Sequence, residues 1–540
     1  MDTSSDRIQM TSSSVQSEKS LKNKGKIPVI VGVTGHRRMR EQDLGKITDS
    51  VREQISKLRR RCPHSQIIVM TCLAEGADQL CAEIALDMGL EIMSVLPMPI
   101  EEYAKDFTGE PLDKLYELTE KSLKTFVAPH IEPEQEGRDY LYRQAGVYVA
   151  DHCHLLLALW DGSEPVKGGC GTSSIAQLKL ENLSREAGEQ LRHAKGQVVQ
   201  IKTPPVGSPG SVEGAGAVTV YGDEAWFRRV LRDTDIYNAD CEQEKPAESK
   251  EKLSAVYELA DRMSMVSAVR YRKILAGMSV CAVVLAMAFL LYDEVDWQGM
   301  ILLCGIMIIM LFLINTITGK SKCRERYLEY RILAEACRVQ SYLKMAGTTL
   351  SVAEFIPWNL QVAVPWISRA MAAVTAGDTA GKRQSVLKIW ITDQKEYHKK
   401  AVLRSEIQLM RNDRIVRAAL IFTILIYVGA LAFEIICGGL FGGKVMFSPE
   451  TNDVIRVIIK VAMGTFSAAT VFTGNYYGKL ALPNVIDDHL KMILLYEEAE
   501  REIAEKGESE PLLVRIAEDE LGENANWYAY QSKYEPDLGI

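Results

Sequence analysis

IPVIVGVTGHRR (27–38) is the stretch whose reading decides the fold. Its first half is an unbroken aliphatic run; its second half is a glycine-bearing turn followed by two arginines. A strand that is apolar on both faces needs cover on both faces, which a parallel sheet flanked by helices supplies. The same texture repeats outward. QIIVMTC (66–72), EIMSVLP (91–97), HLLLALW (154–160) and QVVQIK (197–202) are short aliphatic runs, separated by amphipathic segments such as 41–60 and 77–88. This alternation predicts an α/β domain with a parallel sheet over 26–236. The Ser-, Thr- and Lys-rich stretch 1–25 is predicted to be a disordered tail, since it lacks an apolar period and the apolar core of a signal peptide. TPPVGSPGSVEGAG (203–216) reads as a surface loop. Residues 237–273 read as a charged linker, to 252, running into a helix.

The texture then changes. Residues 274–292 carry no charge in 19 positions and 299–318 none in 20. At ~1.5 Å per residue each run spans roughly 30 Å, the thickness of a hydrocarbon core. Only 293–298 separates them, so 274–318 is predicted to be a transmembrane hairpin. A second hairpin is predicted over 418–476, from spans 418–437 and 457–476, which hold one charge each, Glu434 and Lys460. These two charges are expected to pair at the membrane surface or to reach separately into the interface. The expected fold class is thus an α/β parallel-sheet domain followed by an all-α transmembrane module of four spans in two hairpins. Helical regions at 319–417 and 477–540 complete it, including amphipathic segments 326–343 and 488–505.

Basic residues cluster before the first span (RYRK, 270–273), after the second (GKSKCRER, 319–326) and before the third (RNDRIVR, 411–417). The intervening loops are poor in bases. By the positive-inside rule both termini and the α/β domain face the cytoplasm of a multi-pass inner-membrane protein. Composition agrees. The 540 residues carry 63 basic and 71 acidic side chains, net −8, so no global basic field exists to hold nucleic acid. The eleven cysteines show no CxxC pair and no metal-ligand spacing, as expected in a reducing compartment.

Three strand ends carry the chemistry. VGVTGHRR (31–38) offers Gly32, Gly35, His36, Arg37 and Arg38 around a turn where backbone N–H groups can meet a phosphate. TCLAEGADQL (71–80) offers Gly76 with Glu75 and Asp78, acids that suit ribose hydroxyls. LWDG (159–162) supplies Asp161 and Gly162. It is followed by GGCGTSSIAQ (168–177), in which Gly168, Gly169, Gly171, Thr172, Ser173 and Ser174 form a second anion cradle. Turns on the carboxyl ends of parallel strands converge on one crevice, where open α/β sheets bind ligands. His152 and His154 are read as structural, at the start of a strand and facing opposite sides, so no metal is predicted. In the fourth span, Thr465, Ser467, Thr470, Thr473 and Asn475 serve either helix packing or a pore lining.

VTGHR, EGAD, LPMPIEEYAKDF (96–107), ALWDG and GGCGT, in this order, resemble the SLOG superfamily. This is the Rossmann-like fold shared by DNA-processing Smf proteins, lonely-guy (LOG) phosphoribohydrolases and the N-terminal domains of melastatin channels. The resemblance covers about 26–202. The membrane part resembles, more loosely, SLATT-type transmembrane effectors, through EYRILAEACRVQSYL (329–343) and LGENANWYAYQSKYEP (521–536). The resemblance implies that Gly35, His36 and Arg37 form the first ligand loop. Gly76 and Asp78 form the second, and Gly169, Gly171 and Thr172 the phosphate-cradling third. The enzymatic branch carries PGGxGTxxE with a catalytic glutamate; here Lys167 stands in the proline position and Ile175 in the glutamate position. Isoleucine cannot act as an acid or base, so binding without hydrolysis is expected.

The expectation is therefore a nucleotide-sensing membrane protein. A cytoplasmic domain binds a nucleotide-derived second messenger, with no further cofactor, and gates a homo-oligomeric pore in the bilayer, in bacterial (antiviral) defence or stress. The alternatives are a membrane-tethered nucleotide phosphoribohydrolase and a non-conducting receptor or scaffold.

Overall fold

The computed structural model describes residues 25–129, 137–165, 169–181, 196–206, 214–295, 298–378, 381, 383–437, 447–478 and 482–533. The predicted tail, save its last residue, lies outside the described residues, as do Lys167, Gly168 and the tip of the 203–216 loop. The described residues divide into two compact units. One draws on Met1–Asp261, Ile332–Val386 and Ser509–Ala525, the other on Arg262–Arg331, Leu387–Glu508 and Asn526–Ile540.

The first unit is built on a seven-stranded sheet: β1 (Val29–Gly35), β2 (Ile67–Thr71), β3 (Glu91–Leu96), β4 (Lys124–Val127), β5 (Leu155–Trp160), β6 (Gln197–Lys202) and β7 (Val218–Gly222). The strand order is β4-β3-β2-β1-β5-β6-β7. All neighbours are parallel except β6 and β7, so the predicted parallel sheet gains an antiparallel edge. β2 and β5 are buried at every position, which is why they were legible as unbroken aliphatic runs. β4 (KTFV) is half-exposed and β7 (VTVYG) exposed throughout, so neither shows that signature.

Helices α1 (Leu44–Arg61), α2 (Ala77–Asp87), α3 (Glu110–Lys121), α4 (Arg138–His152) and α5 (Thr172–Glu181) lie between successive strands, and α6 (Glu224–Gln243) follows β7. The stretch read as a linker from 237 begins inside α6, and its first residues belong to the core. Tyr237 and Asn238 are fully buried. The Asn238 amide accepts from Ile27 N–H and donates to Ile27 C=O, both at 2.8 Å. That pair substitutes for a ladder partner at the entry to β1, where an unpaired backbone group would be costly.

His152 closes α4 instead of opening a strand, its ring stacked on Tyr148 with centroids 3.8 Å apart. His154 is buried before β5, and its Nδ1 accepts from Ile30 N–H at 3.1 Å. Burial pushes this imidazole down to about 3, with Arg369 and Lys179 adding to the shift, so it stays neutral. The region expected as a single stretch at 319–417 contributes 332–386 to this unit. Its helix Pro365–Val374 is wholly buried. Trp366 lies 5.8 Å from Tyr237, and Arg369 donates to the Asp151 carbonyl at 3.0 Å.

Among the described residues, four helices are long and apolar enough to cross a membrane. They are α7 (Lys252–Val295), α8 (Met300–Ser321), α11 (Asp393–Ile436) and α12 (Pro449–Gly478); α9 (Cys323–Met345) comes after α8 in the chain and α13 (Leu482–Lys506) after α12. The Pro365–Val374 helix is α10. At ~1.5 Å per residue, the 44 residues of α7 measure roughly 65 Å, twice a hydrocarbon core. Leu302, Phe312 and Val471 are among the large apolar side chains left exposed, as a lipid-facing surface requires.

The charges of the second hairpin do not pair with each other. Glu434 on α11 is bidentate to Arg456 on α12, at 2.7 and 2.9 Å, and Lys460 on α12 reaches Glu294 on α7 at 2.8 Å. Deeper, the Thr470 hydroxyl meets that of Thr423 at 3.2 Å, and a Cβ at Gly464 would lie 2.4 Å from a Leu290 methyl. Part of the polar content of the fourth span therefore serves helix packing.

Candidate functional site

β1 pairs with β2 on one side and β5 on the other, so the chain reverses its winding between β1 and β5. Such a switch point leaves a crevice outside the carboxyl ends of the two strands, because their connections depart to opposite faces. A cleft of about 740 Å³ opens there. Its walls take Gly35, His36 and Arg37 after β1, Cys72 and Asp78 after β2, and Gly171, Thr172 and Ser173 at the start of α5. The three turns singled out from the sequence do meet in one place.

The first two turns are bolted together. Gly76 has φ +89°, and a Cβ there would sit 2.2 Å from the Arg37 carbonyl oxygen. A Cβ at Gly35 would sit 2.3 Å from Ala77 Cβ and 2.9 Å from Leu159 Cβ. Ala77 N–H donates to His36 C=O at 3.1 Å, and His36 N–H to Leu159 C=O at 3.0 Å. These glycines let two loops touch each other. Gly32 does the same for α4, since its Cβ would strike Val149 and Cys153.

Asp78 braces the second turn from within. Its carboxylate accepts from Cys72 N–H at 3.1 Å, while Leu73 holds a left-handed φ of +54° in full burial. Burial pushes the Asp78 carboxyl up to about 6, against hydrogen bonds from Thr71, Ala74 and Cys72 and the charge of Arg37. Glu75 and Gly76 do not line the cleft. Asp161 and Gly162 do not line it either: the Asp161 carboxylate accepts from Ser163 N–H at 3.0 Å, and Asp161 N–H donates to His36 Nε2 at 3.3 Å, fixing that ring. Gly169 and Arg38 also stand off the wall.

The third turn is different. A Cβ at Gly171 would meet nothing within 4 Å. Ile175 N–H is the first to close α5, on Gly171 C=O at 3.1 Å, which leaves the N–H groups of Thr172 and Ser173 outside the helical ladder at the cleft. With their hydroxyls and the helix dipole they suit an anion. Ile175 is buried in the wall against Gly146 of α4, so hydrocarbon fills that position.

The wall also holds residues that the sequence reading did not assign. Arg37 lies over the Tyr142 ring, 4.8 Å from its centroid; Tyr142 O–H donates to Asp106; Arg138 donates to Asp106 at 2.7 Å. Burial works against the Asp106 carboxylate, yet the bonds from Tyr142 and Arg138 outweigh it and hold the group below the usual carboxylate range. Asp106 falls inside LPMPIEEYAKDF, the motif quoted above without a role. Arg138 and Tyr142 stand one helical turn apart on α4.

No family model matches the chain, and no curated protein matches it at a significant level. Among the described residues, no group of three or more His, Cys, Asp or Glu side chains could hold a metal ion.

Proposed function

We propose that this chain is a nucleotide-responsive membrane protein, whose α/β domain binds a phosphate-bearing nucleotide in the cleft between β1 and β5. The observation that carries the reading is the open α5 N-terminus at the switch point, in a cleft that Arg37 and Arg138 also line. Thr172 and Ser173 take the phosphate through N–H and O–H groups, and Arg37 adds a charge-assisted bond. The sequence resemblance to SLOG domains supports the same assignment, and Ile175 favours binding over hydrolysis of the glycosidic bond.

Binding is read as shifting the state of an oligomer of the four-span module, as the SLATT resemblance implies. Four helices from one copy hardly enclose a pore, so conduction requires several copies. Ser467 and Asn475 are exposed polar positions on α12, left for a lumen or a neighbouring copy. The basic flanks support a cytoplasmic α/β domain; the defence or stress setting rests on the resemblance alone.

The test is the small molecule that leaves the purified full-length protein on denaturation, identified by mass spectrometry. A nucleotide in near-stoichiometric amount from the wild type, and at least tenfold less from Gly171→Arg, supports the reading. Equal amounts from both would move the site elsewhere, and release of free base with ribose phosphate would favour the hydrolase.

A further inference from the structure

The helices that continue the third and fourth spans meet through a pair of histidines that the nucleotide reading does not use. α11 and α13 run antiparallel, with Lys395 paired to Glu500 at one point and His398 facing His489 at another. The two Nδ1 atoms are 3.0 Å apart, and the rings sit edge to face with centroids 4.9 Å apart. His398 is 3% exposed. Tyr496, fully buried on α13, lies 5.7 Å from it, and Tyr397 of α11 lies 6.4 Å from the His489 ring.

Proton counting decides what such a contact tolerates. A nitrogen that accepts must be unprotonated, so an Nδ1 to Nδ1 bond needs one proton between the two atoms. Two neutral rings satisfy it, with one as the Nδ1–H tautomer, and so does a pair with one ring charged. Two charged rings cannot, because two N–H donors would then point at each other across 3.0 Å. We propose that His398 and His489 form a proton-sensitive clasp that joins α11 to α13 at neutral pH and releases them on acidification. The proposal is independent of what occupies the cleft.

The surroundings set its direction. Burial disfavours the charged His489 ring, and the guanidinium groups of Arg404 on α11 and Arg331 on α9 disfavour it further, holding it below the usual histidine range. On α13 the neighbouring Asp488 carboxylate is engaged by Lys491 at 3.4 Å, and the Glu500 carboxylate by Lys395. A histidine depressed in the closed state charges more readily once the helices part. The stabilisation it gives is therefore complete above the ordinary histidine pKa of about 6.5, and is lost as pH falls below that value. Since α11 and α12–α13 contain two of the four apolar spans, opening the clasp frees the spans' extensions from one another.

The experiment uses the full-length protein in lipid nanodiscs, with spin labels on Leu403→Cys and Leu494→Cys. Both positions are exposed, and Cys72, Cys170 and Cys437, the cysteines that are not buried, are replaced by serine. Pulsed dipolar spectroscopy reads the α11–α13 distance at about pH 7.5 and about pH 5, on either side of the histidine range. The wild type should show one short population at the higher pH and lose most of it at the lower. His489→Gln, which still hydrogen-bonds but cannot charge, should keep the short population at both. His489→Arg, a permanent donor, should keep it at the higher pH, where a neutral His398 can accept, and lose it at the lower. An unchanged wild-type distance, or an acid shift that survives in the His398→Gln, His489→Gln double variant, would overturn the proposal.

Discussion

The turn after β1 and the turn before α5 read alike in the sequence, as glycines beside a helix start, yet the structure uses them in opposite ways. Gly35 and Gly76 are spent on contact between two loops: any side chain there would overlap Ala77, Leu159 or the Arg37 carbonyl. Gly171 touches nothing. The locked pair fixes where His36 and Arg37 emerge from the sheet, and the bare one leaves the α5 N-terminus accessible. Glycine in a strand-to-helix turn is thus compatible with a brace or a cradle, and only the surrounding atoms distinguish them.

The largest effect should come from placing a side chain in the brace. Gly76→Ala combines a left-handed φ of +89° with overlap on a carbonyl oxygen, and should cost about 2–5 kcal/mol of stability. A lowered unfolding midpoint of the full-length protein in detergent is the readout; an unchanged midpoint would mean the two loops are not locked.

Next is the acid inside the brace. Asp78 titrates at about 6 in the fold, against an ordinary value of 3.8, because burial disfavours its charged form. Its folded pKa is raised, so its contribution to stability falls as pH rises from about 4 to about 6, by about 3 kcal/mol at most. Asp78→Asn should flatten that part of the stability profile in denaturant titrations at stepped pH. A slope unchanged by the substitution would assign the dependence to another group.

The smallest effect belongs to the cradle. Gly171→Ala should change stability by no more than about 0.5 kcal/mol, since its Cβ enters open space. A loss as large as that of Gly76→Ala would erase the distinction between the two turns.

How much of this was legible follows from burial. β1, β2, β3, β5 and β6 were readable because their side chains are inside, whereas β4 and β7 lie near or at the surface and carry no aliphatic run. α4 escaped for a related reason: only Ala145, Val149 and Ala150 of its fifteen residues are buried, so it shows no helical apolar period. Arg138 and Tyr142 went unassigned with it. The convergence of three turns was readable because topology alone places them there. That Glu75, Gly76, Asp161 and Gly162 stand off the wall was not, because backbone geometry, not residue type, turns them away. The pairing of Glu434 with Arg456 and of Lys460 with Glu294 likewise depended on which helices are neighbours.

The central claim is that occupancy of the α5 cradle changes the state of the membrane helices. The most direct measurement is ion flux from vesicles carrying the full-length protein, on adding the nucleotide fraction released from the purified wild-type chain. Flux that rises with that fraction in wild-type vesicles, and is absent in Gly171→Arg vesicles of equal protein content, is the predicted result. Vesicles that stay tight at saturating nucleotide, or that leak equally in both proteins, would contradict it.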